Sequence, residues 1–352
     1  MKRSVRVVAL IIASLFVGST SRGQELTKDD DGLFTTPERT LSTPLSKGET
    51  VTVTVPSVIR GNLSVVAEDV SGASLRFRKR AFTDSRRSAF DYIDVVTVTM
   101  SRASGGATLE CRAPASPDWK EDEYLSVEFE LTLPRETVLR IDAPKVHAVV
   151  EGPMKGVAIT NAEEGAEIID VTEFTTISAR QSSVKLERVA GKIQVQIIDG
   201  TLVIEEISST TEMARIESEG AEIRIAAFKG ELDLNAESGR IEISEFEPTG
   251  DKSTLRVSGA PLQVEISRME SGRVTLSNKG EDIELTIPAD IQASFSLTVD
   301  EGSTISATRL HMRPDLVLPD RLNFITGKGG VDIRASVRRN GNIYVRGYGE
   351  SE

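Results

Sequence analysis

Apolar positions along the middle of the chain return in a fixed phrase, a Gly or Ser turn followed by apolar, any, apolar, any, any, apolar. It reads Ile169-x-Val171-x-x-Phe174, Val184-x-Leu186-x-x-Val189, Leu202-x-Ile204-x-x-Ile207, Ile223-x-Ile225-x-x-Phe228, Ile241-x-Ile243-x-x-Phe246, Val264-x-Ile266-x-x-Met269 and Ile283-x-Leu285. Successive phrases begin 15, 18, 21, 18, 23 and 19 positions apart. Alternation over a few residues suits a strand that turns every second side chain to one face. One such strand cannot bury that face alone, whereas strands stacked at a period near 20 share a continuous core. The pattern predicts an all-β fold built as a β-solenoid, the right-handed β-helix-like class.

A second short strand precedes most phrases: Val157-x-Ile159, Ile193-x-Val195, Leu232-x-Leu234, Leu255-x-Val257 and Val274-x-Leu276. Between the paired strands stand Glu164-Gly165, Asp199-Gly200, Glu219-Gly220, Ser238-Gly239 and Lys279-Gly280, where Gly permits a tight corner. Solenoid repeats are therefore assigned to residues 138–310.

The flanks alternate with period two. Residues 48–137 hold runs such as Val51-x-Val53-x-Val55 and Val127-x-Phe129-x-Leu131-x-Leu133, broken by Gly and Pro, and predict an antiparallel N-terminal cap over the first coil. Residues 311–352 form the predicted C-terminal cap, a hairpin of Val331-x-Ile333-x-Ala335-x-Val337 and Ile343-x-Val345 turning at Asn340-Gly341. Residues 24–47 are polar and aperiodic, which predicts a flexible leader. The run Asp29-Asp30-Asp31-Gly32 lacks the spaced ligands and distal Glu of a calcium loop.

The start of the chain changes the setting. Residues 1–23 have basic Lys2, Arg3 and Arg6, an apolar run Val7 to Val17 and small residues around Gly18 to Gly23, the form of a secretory signal peptide. An uncleaved anchor is the alternative. Cleavage would leave no transmembrane segment and an exported chain, periplasmic, secreted or at the cell surface. The whole chain carries a net charge of −12, and removing those 23 residues brings it near −16. That excess argues against nucleic acid as a partner. Cys111 is the only cysteine, so no intrachain disulfide forms.

Several phrases now invite comparison with a known group. Glu237-Ser238-Gly239-Arg240-Ile241-Glu242-Ile243, the entry Leu131-Thr132-Leu133-Pro134 before Leu139-Arg140-Ile141, and the ending Gly327-Lys328-Gly329-Gly330-Val331-Asp332-Ile333 to Gly341-Asn342-Ile343-Tyr344-Val345 resemble the bacterial putative-adhesin repeat family. The likeness covers about Thr50 to Gly347. It departs at Gln181-Ser182-Ser183 and Gly259-Ala260-Pro261, which replace clean Ser-Gly corners. The resemblance implies export, a β-helix and adhesion, and it brings no catalytic residues.

Candidate chemistry is sparse. His147 and His311 lie far apart, neither has a second ligand at metal spacing, and no cofactor motif occurs. Glu205, Glu206, Glu222, Glu242, Glu265 and Glu284 recur beside inward positions and could form rows; paired carboxylates are what glycoside hydrolysis uses. Aromatic platforms for sugar are thin, since Phe174, Phe228 and Phe246 occupy a core slot. A basic cluster, Arg76, Arg78, Lys79, Arg80, Arg86 and Arg87, stands out in an acidic chain as a partner-binding candidate, for an anionic polymer or for the protein's own solenoid face. These features favour a non-enzymatic exported binding or structural module of a bacterial envelope, engaging a surface protein or polysaccharide. The alternatives are a polysaccharide-acting β-helix enzyme and an envelope-sensing interaction module.

Overall fold

The computed structural model describes residues 25–115, 119–120, 122–208 and 212–349; the signal peptide expected over 1–23 lies outside them. Among the described residues, 27 strands join in one hydrogen-bonded sheet and there is a single helix, Arg86–Asp94. Ser85 caps that helix by accepting from the Ser88 N–H.

Through the middle of the chain, each strand pairs in parallel with the strand one repeat away. Ile159, Ile177, Val195, Ile216, Leu234, Leu255 and Leu276 are successive partners along one ladder. Val184, Leu202, Ile223, Ile241, Leu262 and Ile283 make a second. All of them are buried in one continuous apolar cluster. Every strand thus covers its neighbour's apolar residue with one of similar size, which keeps the register fixed, since a one-residue slip would turn both rows outward.

The uneven spacing of the phrase has a backbone cause. Arg188, Glu206, Ala227 and Glu245 take φ of 50°, 54°, 51° and 51°, and each stands immediately before a buried residue, Val189, Ile207, Phe228 or Phe246. A left-handed residue breaks the alternation once, so the third apolar side chain faces inward one position later than a straight strand would place it. Asp170, with φ 63°, does the same before Val171. The first phrase is therefore Ala166-x-Ile168-x-x-Val171, fully buried, rather than the expected Ile169-x-Val171-x-x-Phe174, whose Ile169 and Phe174 are half-buried. Adjacent Ile168 and Ile169 made the phase ambiguous locally. Likewise Ile241 and Ile243 are partnered by Leu262 and Val264, so that repeat begins at Leu262 and not at Val264.

Gly supplies the corners where the expected phrases place it. At Gly239, φ is 93° and an added Cβ would stand 1.9 Å from the Ala221 carbonyl oxygen, so both conformation and space demand glycine.

At both ends the layers depart from chain order. Val138–Asp142 pairs in parallel with Met154–Ala162 on one side and Thr50–Thr54 on the other, and Thr50–Thr54 pairs onward with Gly106–Arg112. Val146–Glu151, Arg60–Glu68 and Tyr124–Pro134 repeat that arrangement. The predicted antiparallel segment 48–137 is therefore mixed: residues 50–68 are an inner parallel layer, and antiparallel pairing enters through Gly72–Phe82 on Tyr124–Pro134 and Thr97–Ala103 on Gly106–Arg112. The segment expected to be a flexible leader is also structured. Arg39–Pro44 and Phe34–Thr35 add antiparallel to Gly72–Phe82, and Leu26, Leu33 and Leu45 are buried. Those leucines have no local period, because they pack on strands contributed from elsewhere.

The C-terminal end mirrors this arrangement. Val331–Arg338 lies between Arg273–Lys279 and Ala293–Val299, and Ile343–Tyr348 lies between Ile283–Pro288 and Ile305–Thr308, all parallel. The expected hairpin does not form: Asn340, with φ 90°, belongs to a corner between strands that pair with other layers. Antiparallel covering comes instead from Arg321–Thr326 on Ala293–Val299, followed by Met312–Leu318. That last strand carries Pro314, Asp315 and a register shift, features that blunt a sheet edge.

Candidate functional site

Because the ladders are in register, outward side chains form rows that continue from strand to strand. One face carries Thr176, Gln194, Arg215, Asp233, Thr254 and Thr275 in one row, with Ser178, Gln196, Glu217, Asn235, Arg256 and Ser277 beside them. Hydroxyls and amides dominate, and Arg256 pairs with Asp233 at 3.1 Å. Two shallow grooves of about 250 and 200 Å³ run along this face and share Gln196 and Glu217.

The other outward face is charged. The expected carboxylate row divides: Glu242 and Glu284 share a row with Gln263 between them, Glu205 lies beside Glu187 in another, and Glu222 is opposite Arg240. Several of these acids face bases. Lys185 bridges Glu187 at 2.9 Å and Glu205 at 3.2 Å, and Arg224 pairs with Glu222 at 2.8 Å. The Glu187 and Glu205 carboxylates hold the Lys185 ammonium up at about 12. His147 stands beside the Glu164 carbonyl and His311 is exposed elsewhere. Among the described residues, no group of three or more His, Cys, Asp or Glu side chains could hold a metal ion.

The predicted basic cluster does not form a single patch. Gly72–Phe82 turns Arg76, Arg78 and Arg80 outward and Lys79 inward. Arg76 pairs with Glu130, Arg78 with Glu38 at 3.1 Å, and Arg80 with Asp29 at 2.5 Å, Asp31 at 3.0 Å and Glu128 at 2.5 Å. Lys79 donates from Nζ to the carbonyls of Ile93 at 3.0 Å and of Val96, which ties the helix to the sheet. Burial lowers its pKa, and burial pushes the Cys111 thiol up to about 12. Arg86 lies over the Phe90 ring, 5.8 Å from its centroid, and Arg87 is exposed on the same helix. Asp29 also accepts from the Leu33 N–H at 2.8 Å and from Thr35 at 3.0 Å, so the acidic run serves to anchor the N-terminal strands.

Beside Arg80 the structure assembles a groove that no sequence motif announces. It has a volume of about 480 Å³ and is lined by Asp31, Arg60, Asn62, Arg80, Phe82 and Tyr124, together with Ser126 and Glu128. Phe82 and Tyr124 are direct antiparallel partners and their rings stack, with centroids 5.3 Å apart at 17°. The Arg60 guanidinium lies 5.2 Å from the Tyr124 ring centroid. These residues come from separate strands, so no local motif could announce them.

The geometry defines an all-β chain with one large sheet, long regular outward faces and a lateral aromatic groove. No family model matches the sequence, and no curated protein matches it. Among solved structures the chain is similar to a putative cell adhesion protein from Clostridium sporogenes, with 8% identity, 88% of this chain and 99% of that chain covered, and a TM-score of 0.22. It is also similar to a putative adhesin from Parabacteroides merdae, at 9% identity, 88% and 95% coverage and a TM-score of 0.28. A putative lipid binding protein from Parabacteroides distasonis aligns at 11% identity, 88% and 96% coverage and a TM-score of 0.24. No helix among the described residues is long and apolar enough to cross a membrane.

Proposed function

We propose that the chain is a non-enzymatic binding module of a bacterial envelope or cell surface, exported and built as a β-solenoid that presents its outward rows to an extended partner. The observation that carries this reading is the in-register parallel ladder, which sets the hydroxyls and amides of Thr176, Gln194, Ser178, Gln196 and Asn235 at the spacing of neighbouring strands. Such a face matches a partner with its own linear repeat, a surface polysaccharide or an extended protein segment. The exported, adhesin-like character rests on the signal-peptide form of residues 1–23 and on the family resemblance. The non-enzymatic reading is supported by the division of the carboxylates among separate rows and by their pairing with Lys185 and Arg224.

The test is binding of the chain from residue 24 onward to arrays of envelope polysaccharides and purified surface proteins. Alongside it runs a variant with Gln194, Gln196 and Asn235 changed to Ala. Retention on the array that this variant loses is the expected result. Turnover of a glycan, abolished by Glu242→Gln or Glu284→Gln, would replace this reading with an enzymatic one.

A further inference from the structure

We propose that the groove beside Phe82 is a saccharide site, in which a neutral hexopyranose ring of a glycan packs against the exposed Phe82–Tyr124 pair. This goes beyond the reading of the long polar face, since the groove stands at the N-terminal end of the layers and shares no residue with that face.

Phe82 is 42% exposed, whereas Phe77, Phe129, Phe228, Phe246, Phe295 and Phe324 are buried. Leaving so large an apolar ring in water forgoes burial that these core phenylalanines obtain. Its orientation is held from the neighbouring strand: Tyr124 stacks on it, and Tyr124 in turn carries Arg60. One Phe82 face is thereby covered and the ring is fixed in place before any ligand arrives, which lowers the ordering cost of binding.

The surroundings suit a sugar better than a lipid or an apolar peptide. Phe82 and Tyr124 are the aromatic part of the lining, with Leu33 buried behind, while Asn62, Ser126, Glu128, Arg60, Arg80 and Asp31 are polar. A pyranose has one face of C–H groups and a rim of hydroxyls that both donate and accept. The first matches Phe82; the second matches the Asn62 amide, the Ser126 hydroxyl and the Glu128 carboxylate.

Charge selects against ionic ligands. Asp31 and Glu128 balance Arg60 and Arg80, and Arg80 is already held by three carboxylates, so little cationic potential is left for an acidic sugar. The volume of about 480 Å³ falls within the range of about 300 to 1,000 Å³ usual for small-ligand sites.

The experiment titrates the chain from residue 24 onward with cellohexaose, mannohexaose and a hexagalacturonate by calorimetry. At least one neutral hexasaccharide should bind, with the acidic one weaker. Phe82→Ala should weaken that binding at least tenfold, and Phe82→Trp should retain it. Because Phe82 is exposed, the thermal midpoint of Phe82→Ala checks that the fold is intact. Glu301→Ala, at an exposed turn outside both faces, should leave the affinity unchanged, and Gln194→Ala reports separately on the long face. Absence of binding by both neutral sugars, preference for hexagalacturonate, or unchanged affinity in a folded Phe82→Ala would each overturn the proposal. Loss with Gln194→Ala but not with Phe82→Ala would overturn it while leaving the long-face reading in place.

Discussion

Val274 and Ile333 are direct partners in a parallel ladder, although 59 positions separate them and the intervening strand Ala293–Val299 lies one layer farther out. The C-terminal segment is inserted between two layers that precede it in the chain. Deleting residues 331–352 therefore removes an inner layer, leaving the edges of Arg273–Lys279 and Ala293–Val299 without their shared partner. The truncated chain is expected to remain β-rich by circular dichroism and to associate, while the intact chain stays monodisperse. Sedimentation velocity on both decides this; a monomeric truncation would contradict the layer order.

Inward and outward neighbours should differ sharply. Ile243 is 1% exposed and sits between Ile225 and Val264, whereas Glu242 faces outward. Ile243→Ala is expected to cost about 2 to 5 kcal/mol, and Glu242→Ala to stay within about 0.5 kcal/mol. Denaturant unfolding of both variants checks the register, and equal costs would reverse it.

Two glycines separate conformational strain from collision. Gly105 has φ 79° with nothing within 4 Å of an added Cβ, whereas Gly239 has φ 93° and would place that carbon against the Ala221 carbonyl. Gly105→Ala should lose only about 1 to 2 kcal/mol for the left-handed backbone. Gly239→Ala should lose more, visible as the larger fall in thermal midpoint.

Acid should loosen the contact between the helix and Glu123. Glu123 accepts from the Tyr92 hydroxyl, from Thr83 at 2.7 Å and from the Asp84 N–H at 3.3 Å, and it pairs with Lys120. The Tyr92 hydrogen bond, with Thr83 next, holds its pKa down at about 2, against an ordinary 4.5. A carboxyl lowered in the folded state stabilises fully above about pH 4.5 and loses that contribution as pH falls toward 2. Trp119, the only tryptophan, lies 5.5 Å from Tyr92 and reports the change. Its fluorescence should shift between pH 4.5 and 2, and Glu123→Gln should flatten that shift.

The periodic core was legible in the sequence because its cause is local. A strand that buries one face must alternate, and parallel neighbours must repeat that alternation in register, so Val184, Leu202, Ile223 and Ile241 declared themselves. The corner glycines were legible for the same reason, since positive φ and close approach restrict the residue at that position. Phase failed at Ile168-Ile169, where two adjacent apolar residues satisfy either register and only burial distinguishes them.

What tertiary structure alone decided is which strand lies beside which. Alternation in residues 50–68 and 331–348 is equally compatible with an antiparallel hairpin and a parallel layer, because both bury every second side chain. The choice depends on partners dozens of residues away. The fate of Arg76, Arg78 and Arg80 was hidden likewise, since their carboxylates arrive from residues 29–38 and 128–130. Phe82 and Tyr124 meet for the same reason: a groove is made by strands brought together across the sheet, and side chains 42 positions apart leave no local pattern to read.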